Sequence, residues 1–355
     1  MNNAGKDWSR AAVLNLVGLC GRHLGVDTPN LLAFAEKHHG YRVIDPVLPA
    51  LTCSAQSTYL TGKLPSSHGI VANGWYDREL NEHHFWKQSN RLVQDKKIWD
   101  LLGEKNPGFS CANLFWWYNM HSSVDFAITP RPLYRADGFK TFDVHTQPMG
   151  LREQIKADLG EFPFHGFWGP RAGIASSNWI ADSAKWTEEK HAPDLSLVYL
   201  PHLDYDLQRF GPEDPRISTA LNELDRVAGD LISFYEKKGI RVLALSEYGI
   251  TEVNDVIYPN RVFRKQGWLS IKDELGLEYL DCGGSKAFAI TDHQVAHVYL
   301  RDQSPSFRNQ VRSCLENMEG VEKVLEGESK NKVGLDHQRA GDLVAFSKEN
   351  AWFAY

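Results

Sequence analysis

The run AAVLNLVGLC at residues 11–20 is apolar apart from Asn15 and shows no polar alternation. This is the pattern of a strand buried on both faces of a parallel sheet. Asp27-Thr28-Pro29-Asn30 follows, a capping residue with proline in the first turn, leading into LLAFAEKHH at helical spacing. The chain therefore opens with a strand and then a helix.

Working outward, the same alternation recurs. DKKIWDLLGEKN (95–106), SSNWIADSAKWTEEKH (176–191) and PRISTALNELDRVAGDLISFYEKKG (215–239) read as helices, and FSCANLFW (109–116), DLSLVYLP (194–201) and IRVLALSEYG (240–249) as strands. Strands alternating with helices require crossover connections, which predicts an α/β fold with a mainly parallel sheet. Later strands are expected at KAFAI, AHVYL and DLVAF. No repeat or Gly/Ser/Pro-rich linker marks a boundary, so residues 1–355 are expected to form a single domain. Residues 117–173 are aromatic, rich in Pro and Gly and weakly periodic, which suits a cap or insertion over a site. The chain stops at AWFAY, within an apolar run, and natural termini favour polar, exposed segments. The expectation is that a C-terminal part is missing.

The 355 residues are 42% hydrophobic and 24% charged, an ordinary globular composition, with a net charge of −6. No basic run would track a nucleic-acid backbone or an anionic membrane, leaving small or phosphorylated substrates. The five cysteines are scattered without CxxC spacing, which argues against a disulfide framework or a zinc knuckle and for a reducing compartment. The apolar stretch near the N-terminus is too short to span a bilayer and lacks a cleavage site, so the expected location is cytoplasmic, with oligomeric state open.

In strand-helix folds, ligands bind beyond the carboxyl ends of the parallel strands. The residues found there are Cys20-Gly21, Thr52-Cys53, His202 with Asp204, and Glu247. The segment PALTCSAQSTYLTGKLPSSHGIVANGWYD (49–77) puts Thr52 and Cys53 at the start of a helix, where free N–H groups and the helix dipole favour an anion. Taken alone, Thr52 reads either as a helix cap or as a nucleophile, with Cys53 as its rival.

This segment resembles the nucleophile block of the type I phosphodiesterase/nucleotide pyrophosphatase family of the alkaline phosphatase superfamily: Pro, a Thr, a helix ending in Thr61-Gly62, then Pro65, His68-Gly69-Ile70 and Asn73. The resemblance implies an alkaline-phosphatase-like three-layer α/β/α sandwich, Thr52 as nucleophile and Asn73 as the phosphate-binding residue. It extends along most of the chain with altered ligands. Cys20-Gly21 stands where the family has a metal-binding Asp-Gly. Pro201 through Gly211-Pro212 matches the second block, with Asp204 retained and Gln208 in place of His. Ser246-Glu247-Tyr248-Gly249 matches the third, with Glu247 offering an oxygen and Tyr248 in place of His. His202, with Asp206 nearby, would point to one side if that segment is extended. His293, His297 and His337 are further nitrogen candidates.

The resemblance thus implies divalent metal ions, one or two of Zn, Mg or Mn, with the retained oxygens favouring Mg or Mn. It implies hydrolysis of a small phosphorylated substrate, with nucleotide-like ones among the candidates, through a phospho-threonine. The alternative is a ligand-binding member of the fold that has lost the usual ligands; a sulfatase-like enzyme is a third reading. The aromatic cluster Phe115-Trp116-Trp117-Tyr118, with Trp75, Tyr76, Phe85 and Trp86, reads as core packing or as a seat for a flat leaving group.

Overall fold

The computed structural model describes residues 8–354. It divides into two compact units. The first comprises the chain up to Asp45, Gln88–Arg91 and Lys96–Ile250; the second takes Pro46–Lys87, Leu92–Asp95 and the chain from Thr251 onward.

The first unit holds a six-stranded sheet in the order Lys140–Gln147, Phe126–Tyr134, Cys111–Leu114, Leu195–Leu200, Ala11–Leu16, Arg241–Leu245. Every pairing is parallel except that of the outermost strand, Lys140–Gln147. The mixed α/β class with a mainly parallel sheet is as the alternation required. Leu195–Leu200 is buried at every position, which explains its unbroken apolar run. Residues 117–173 supply Phe126–Tyr134 and Lys140–Gln147 to this sheet.

The long helix Ile217–Lys237 buries Ile217, Ala220, Leu221, Leu224, Ala228, Leu231 and Ile232, an apolar face at helical spacing. It also caps the helix Pro29–Lys37. The Asp225 carboxylate accepts the Asn30 and Leu31 N–H groups at 3.1 and 2.8 Å. Thr28 holds the N-cap position without a side-chain cap bond, and Asp27 accepts from the Ser218 hydroxyl at 2.7 Å. The two helices approach so closely at Gly229 that a Cβ there would lie 2.6 Å from Asn30 Cβ.

The second unit is built on a four-stranded sheet in the order Ala287–Asp292, Val295–Leu300, Leu343–Ser347, Val321–Leu325, antiparallel throughout. KAFAI, AHVYL and DLVAF are therefore strands, but in a separate antiparallel sheet. The helix Pro305–Glu316 turns Phe307, Val311 and Leu315 into the core beneath it, with Phe263, Val298, Leu343 and Phe353. The strand Ala351–Phe353 pairs in parallel with Asp255–Ile257. The same unit carries the helix Thr52–Thr61, which stops at Gly62 (φ +65°), and the short helix Pro65–His68, which stops at Gly69 (φ +76°). Both glycines take the left-handed conformation that ends a helix without a Cβ clash, which is the physical content of the TG and HG pairs.

Candidate functional site

The candidate residues divide between the two units. In the second unit, Thr52 is the first residue of its helix and buried, and Cys53, which follows it, is fully buried. The Asn73 side chain binds this helix start: its Oδ1 accepts the Cys53 N–H at 3.0 Å. Asn73 is itself gripped by Asp292, whose Oδ2 accepts the Asn73 backbone N–H at 3.0 Å and whose Oδ1 accepts from Nδ2 at 3.3 Å. His293 Nδ1 lies 2.8 Å from Asp292 Oδ1. Asp292 was not anticipated; its only sequence signal is a carboxylate closing a buried strand.

The histidines of this unit are mostly committed to structure. His297 is fully buried, with Nδ1 accepting the Gly341 N–H and Nε2 facing the Val71 carbonyl, both at 3.1 Å. Burial pushes it down to about 4, so it is neutral. His337 accepts the Arg339 N–H at Nδ1 (3.1 Å) and meets Gln94 Oε1 at Nε2 (3.0 Å). His68 uses the same device, accepting the Ile70 N–H at 3.1 Å and meeting the Thr58 hydroxyl at 3.0 Å. Neither His297 nor His337 keeps a ring nitrogen for a cation while these bonds hold.

In the first unit, three of the nominated positions converge. Tyr248 donates its phenol to Asp204 Oδ1 at 3.1 Å, and Gln208 donates its amide to Asp204 Oδ2 at 2.7 Å. Asp204 and Gln208 meet because they stand one turn apart on the helix His202–Phe210. Glu247 is buried, and its Oε1 accepts the Asn15 amide at 2.6 Å. Asn15, the one polar residue of the buried first strand, is thereby explained, and the sequence reading passed it over. Cys20 packs against the backbone of Gly249, where a Cβ would fall 2.6 Å from its sulfur. Burial raises the Cys20 thiol above its ordinary value, against a smaller opposing effect of Arg22.

His202 does not join this group. The segment is helical, not extended, which turns residues two apart to opposite sides. His202 is buried against the long helix, with Nε2 3.3 Å from the Ala220 carbonyl, and burial holds it at about 4. Asp206 is ion-paired with Arg209. The aromatic cluster is largely core: Phe115, Trp116, Trp117 and Tyr118 are all buried, Phe115 among Phe162, Phe167 and Trp179.

This donor set does not fit the His- and Asp-rich cation centre that the resemblance implies. The retained carboxylates Asp204 and Glu247 carry neutral donors, an amide and a phenol on one and an amide on the other. Cys20 is held toward the protonated thiol, and thiolate is the form that ligates. Among the described residues, no three His, Cys, Asp or Glu side chains are gathered as a metal ion would need.

Residues 11–355 match the family described as type I phosphodiesterase / nucleotide pyrophosphatase, generally one of metal-dependent hydrolases. An uncharacterized pyrophosphatase/phosphodiesterase of Schizosaccharomyces pombe is 28% identical over 296 residues, 79% of this chain and 53% of that protein. Human ectonucleotide pyrophosphatase/phosphodiesterase family member 7 is 23% identical, over 79% of this chain and 56% of its own. The chain thus spans about half the length of these curated relatives. Among solved structures, phosphonoacetate hydrolase from Sinorhizobium meliloti in complex with phosphonoacetate superposes with a TM-score of 0.68 at 19% identity, covering 98% of this chain and 83% of that one. Murine ectonucleotide pyrophosphatase/phosphodiesterase 5 in complex with AMP gives 0.64 at 16% identity, covering 98% and 80%. The match along nearly the whole chain establishes that it belongs to the type I phosphodiesterase/nucleotide pyrophosphatase family.

Proposed function

We propose that this chain hydrolyses small phosphate esters, at phosphodiester or pyrophosphate bonds, through a phospho-threonine at Thr52. The observation that carries this reading is the placement of Thr52 in the first turn of a helix whose start is bound by Asn73. Helix N-termini stabilise anions through free N–H groups and the dipole, and a preorganised amide donor adds to this where charge develops. Thr52 Oγ attacks phosphorus in line; as the Oγ–P bond forms and the bond to the leaving oxygen breaks, the hydroxyl proton passes to that oxygen, which departs as the free alcohol or phosphate. Water then cleaves the Oγ–P bond, restoring the hydroxyl and releasing the phosphorylated product. The donor set of the first unit departs from the family's cation centre, so the chain's own groups carry both steps. A nucleotide-like substrate is favoured by the AMP complex of a structural neighbour and a small phosphorylated one by the phosphonoacetate complex.

A second reading, binding of such a ligand without turnover, is favoured by one observation: both oxygens of Asp204 are engaged by neutral donors. Among the described residues no helix is long and apolar enough to cross a membrane.

The two readings separate on aryl phosphate mono- and diesters assayed with wild type, Thr52→Ala and Cys53→Ala. Hydrolysis lost in Thr52→Ala and kept in Cys53→Ala, with little effect of iodoacetamide, supports the threonine nucleophile. Equal turnover in wild type and Thr52→Ala refutes it.

A further inference from the structure

Asn73 is held at nearly every polar atom it has. Its backbone N–H goes to Asp292 and its carbonyl accepts the Trp86 N–H at 3.0 Å. Its side-chain oxygen takes the Cys53 N–H, and one hydrogen of Nδ2 goes to Asp292 Oδ1. A carboxamide nitrogen carries two hydrogens. Asn73 is 2% exposed, and its second Nδ2 hydrogen has no protein acceptor among the described residues. A buried donor without a partner costs stability unless a ligand takes it.

We propose that Asp292 is a positioning residue that fixes the Asn73 amide so that this remaining N–H is offered to a phosphoryl oxygen at the start of the Thr52–Thr61 helix. The proposal rests on the phosphoester reading above. Asp292 ends the strand Ala287–Asp292, and its carboxylate is 7% exposed. Three groups surround it: the Asn73 N–H, the Asn73 Nδ2 and His293 Nδ1. Both Asn73 groups are donors, one on each oxygen, so the position calls for an acceptor on both sides, which an ionised carboxylate supplies.

An asparagine at 292 would turn an NH₂ toward one of those donors. Turning it toward Nδ2 would drive the Asn73 amide to flip, and a flipped Asn73 would face the Cys53 N–H with its own NH₂. The amide is thus set by a chain of partners from Asp292 to the helix start. The same loop is held at Val71, whose carbonyl faces His297 Nε2 at 3.1 Å, so the backbone gives little room to compensate.

The test is a double-mutant cycle on the full chain with an aryl phosphate diester, using Asn73→Ala, Asp292→Asn and the pair, with Thr52→Ala as control. Acting through Asn73, Asp292→Asn lowers kcat/KM by about tenfold or more, within the range that loss of one preorganised donor reaches. The double variant is then no worse than Asn73→Ala alone. Asp292→Asn at full kcat/KM, or losses that multiply in the pair, overturns the proposal. A second measurement needs no variant to fold: the Asn73 side-chain amide resonance in nitrogen-15 spectra of the wild type, titrated with inorganic phosphate. A saturable shift supports the proposal, and no shift overturns it. Full activity in Thr52→Ala would remove the nucleophile reading alone and leave the phosphate titration to decide on Asp292.

Discussion

Tyr248 donates its phenolic hydrogen to Asp204 Oδ1 at 3.1 Å, on the oxygen that the Gln208 amide leaves open. The third and second sequence blocks therefore meet through a hydrogen bond where the family's pattern has histidines. Each oxygen of Asp204 therefore carries a neutral donor, and a protonated phenol offers a hard cation a poorer ligand than the imidazole it replaces.

The first prediction concerns metal affinity. Calorimetric titration with Mn²⁺ or Zn²⁺ is expected to show much weaker binding to the wild type than to a variant carrying Cys20→Asp, Gln208→His and Tyr248→His. The gain should exceed the roughly 10- to 100-fold that outer-shell partners alone are worth. Wild-type protein that purifies with one equivalent of tightly held metal would show that these hydrogen bonds yield to a cation.

Asn15→Ala is expected to destabilise the protein. The substitution removes a charge-assisted bond to Glu247, 2.6 Å long and buried at both ends. Such bonds are worth about 1.5–3 kcal/mol. Urea unfolding at pH 7 should show a loss of this size. A variant as stable as wild type at pH 7 would mean that Asn15 contributes nothing net.

How far these features could be read in advance depended on whether the partner is near in sequence. The buried strand at 11–16, the apolar face of 217–237 and the glycines ending the helices at Gly62 and Gly69 are local signals, and each appears where the residues put it. The placement of Thr52 at a helix start was legible for the same reason. The separate antiparallel sheet was not, because KAFAI and AHVYL are short apolar runs that suit either strand direction. Asp225 capping the helix at 29–37, and Gly341 and Val71 satisfying His297, lie far apart in sequence and leave no periodic trace. His297 and His337 looked like spare ligands only because those partners were out of view.

Those buried histidines also set an acid limit. His68 and His297 are each lowered from 6.5 to about 4, chiefly by burial. As the pH falls below 6.5 the unfolded chain takes up protons that the folded chain refuses, so stability is complete above that value and is lost as pH falls toward 4. Between pH 8 and pH 5 each histidine accounts for about 2 kcal/mol by linkage. Denaturant midpoints should therefore drop over this window, and His297→Gln should remove part of the drop while lowering stability at pH 8. An identical pH slope in wild type and His297→Gln would sink this assignment.

Gly249 and Cys20 supply the last prediction, which tests whether the sulfur occupies space that the family's pattern gives to another group. A methyl on Gly249 would sit 2.6 Å from Cys20 Sγ, closer than any real contact, so one of the two must move. Overpacking of this kind typically costs about 1–3 kcal/mol. Gly249→Ala should lower the thermal midpoint, and adding Cys20→Ala, which removes the sulfur, should recover most of it. Residues in direct contact couple in this way and distant ones do not. Strictly additive losses in the double variant would mean that the cost of Gly249→Ala arises in the backbone rather than against the thiol. Recovery would instead establish that Cys20 fills the end of the first strand as a packed thiol, the role that burial, which pushes this thiol above its ordinary pKa, already favours over that of a ligand.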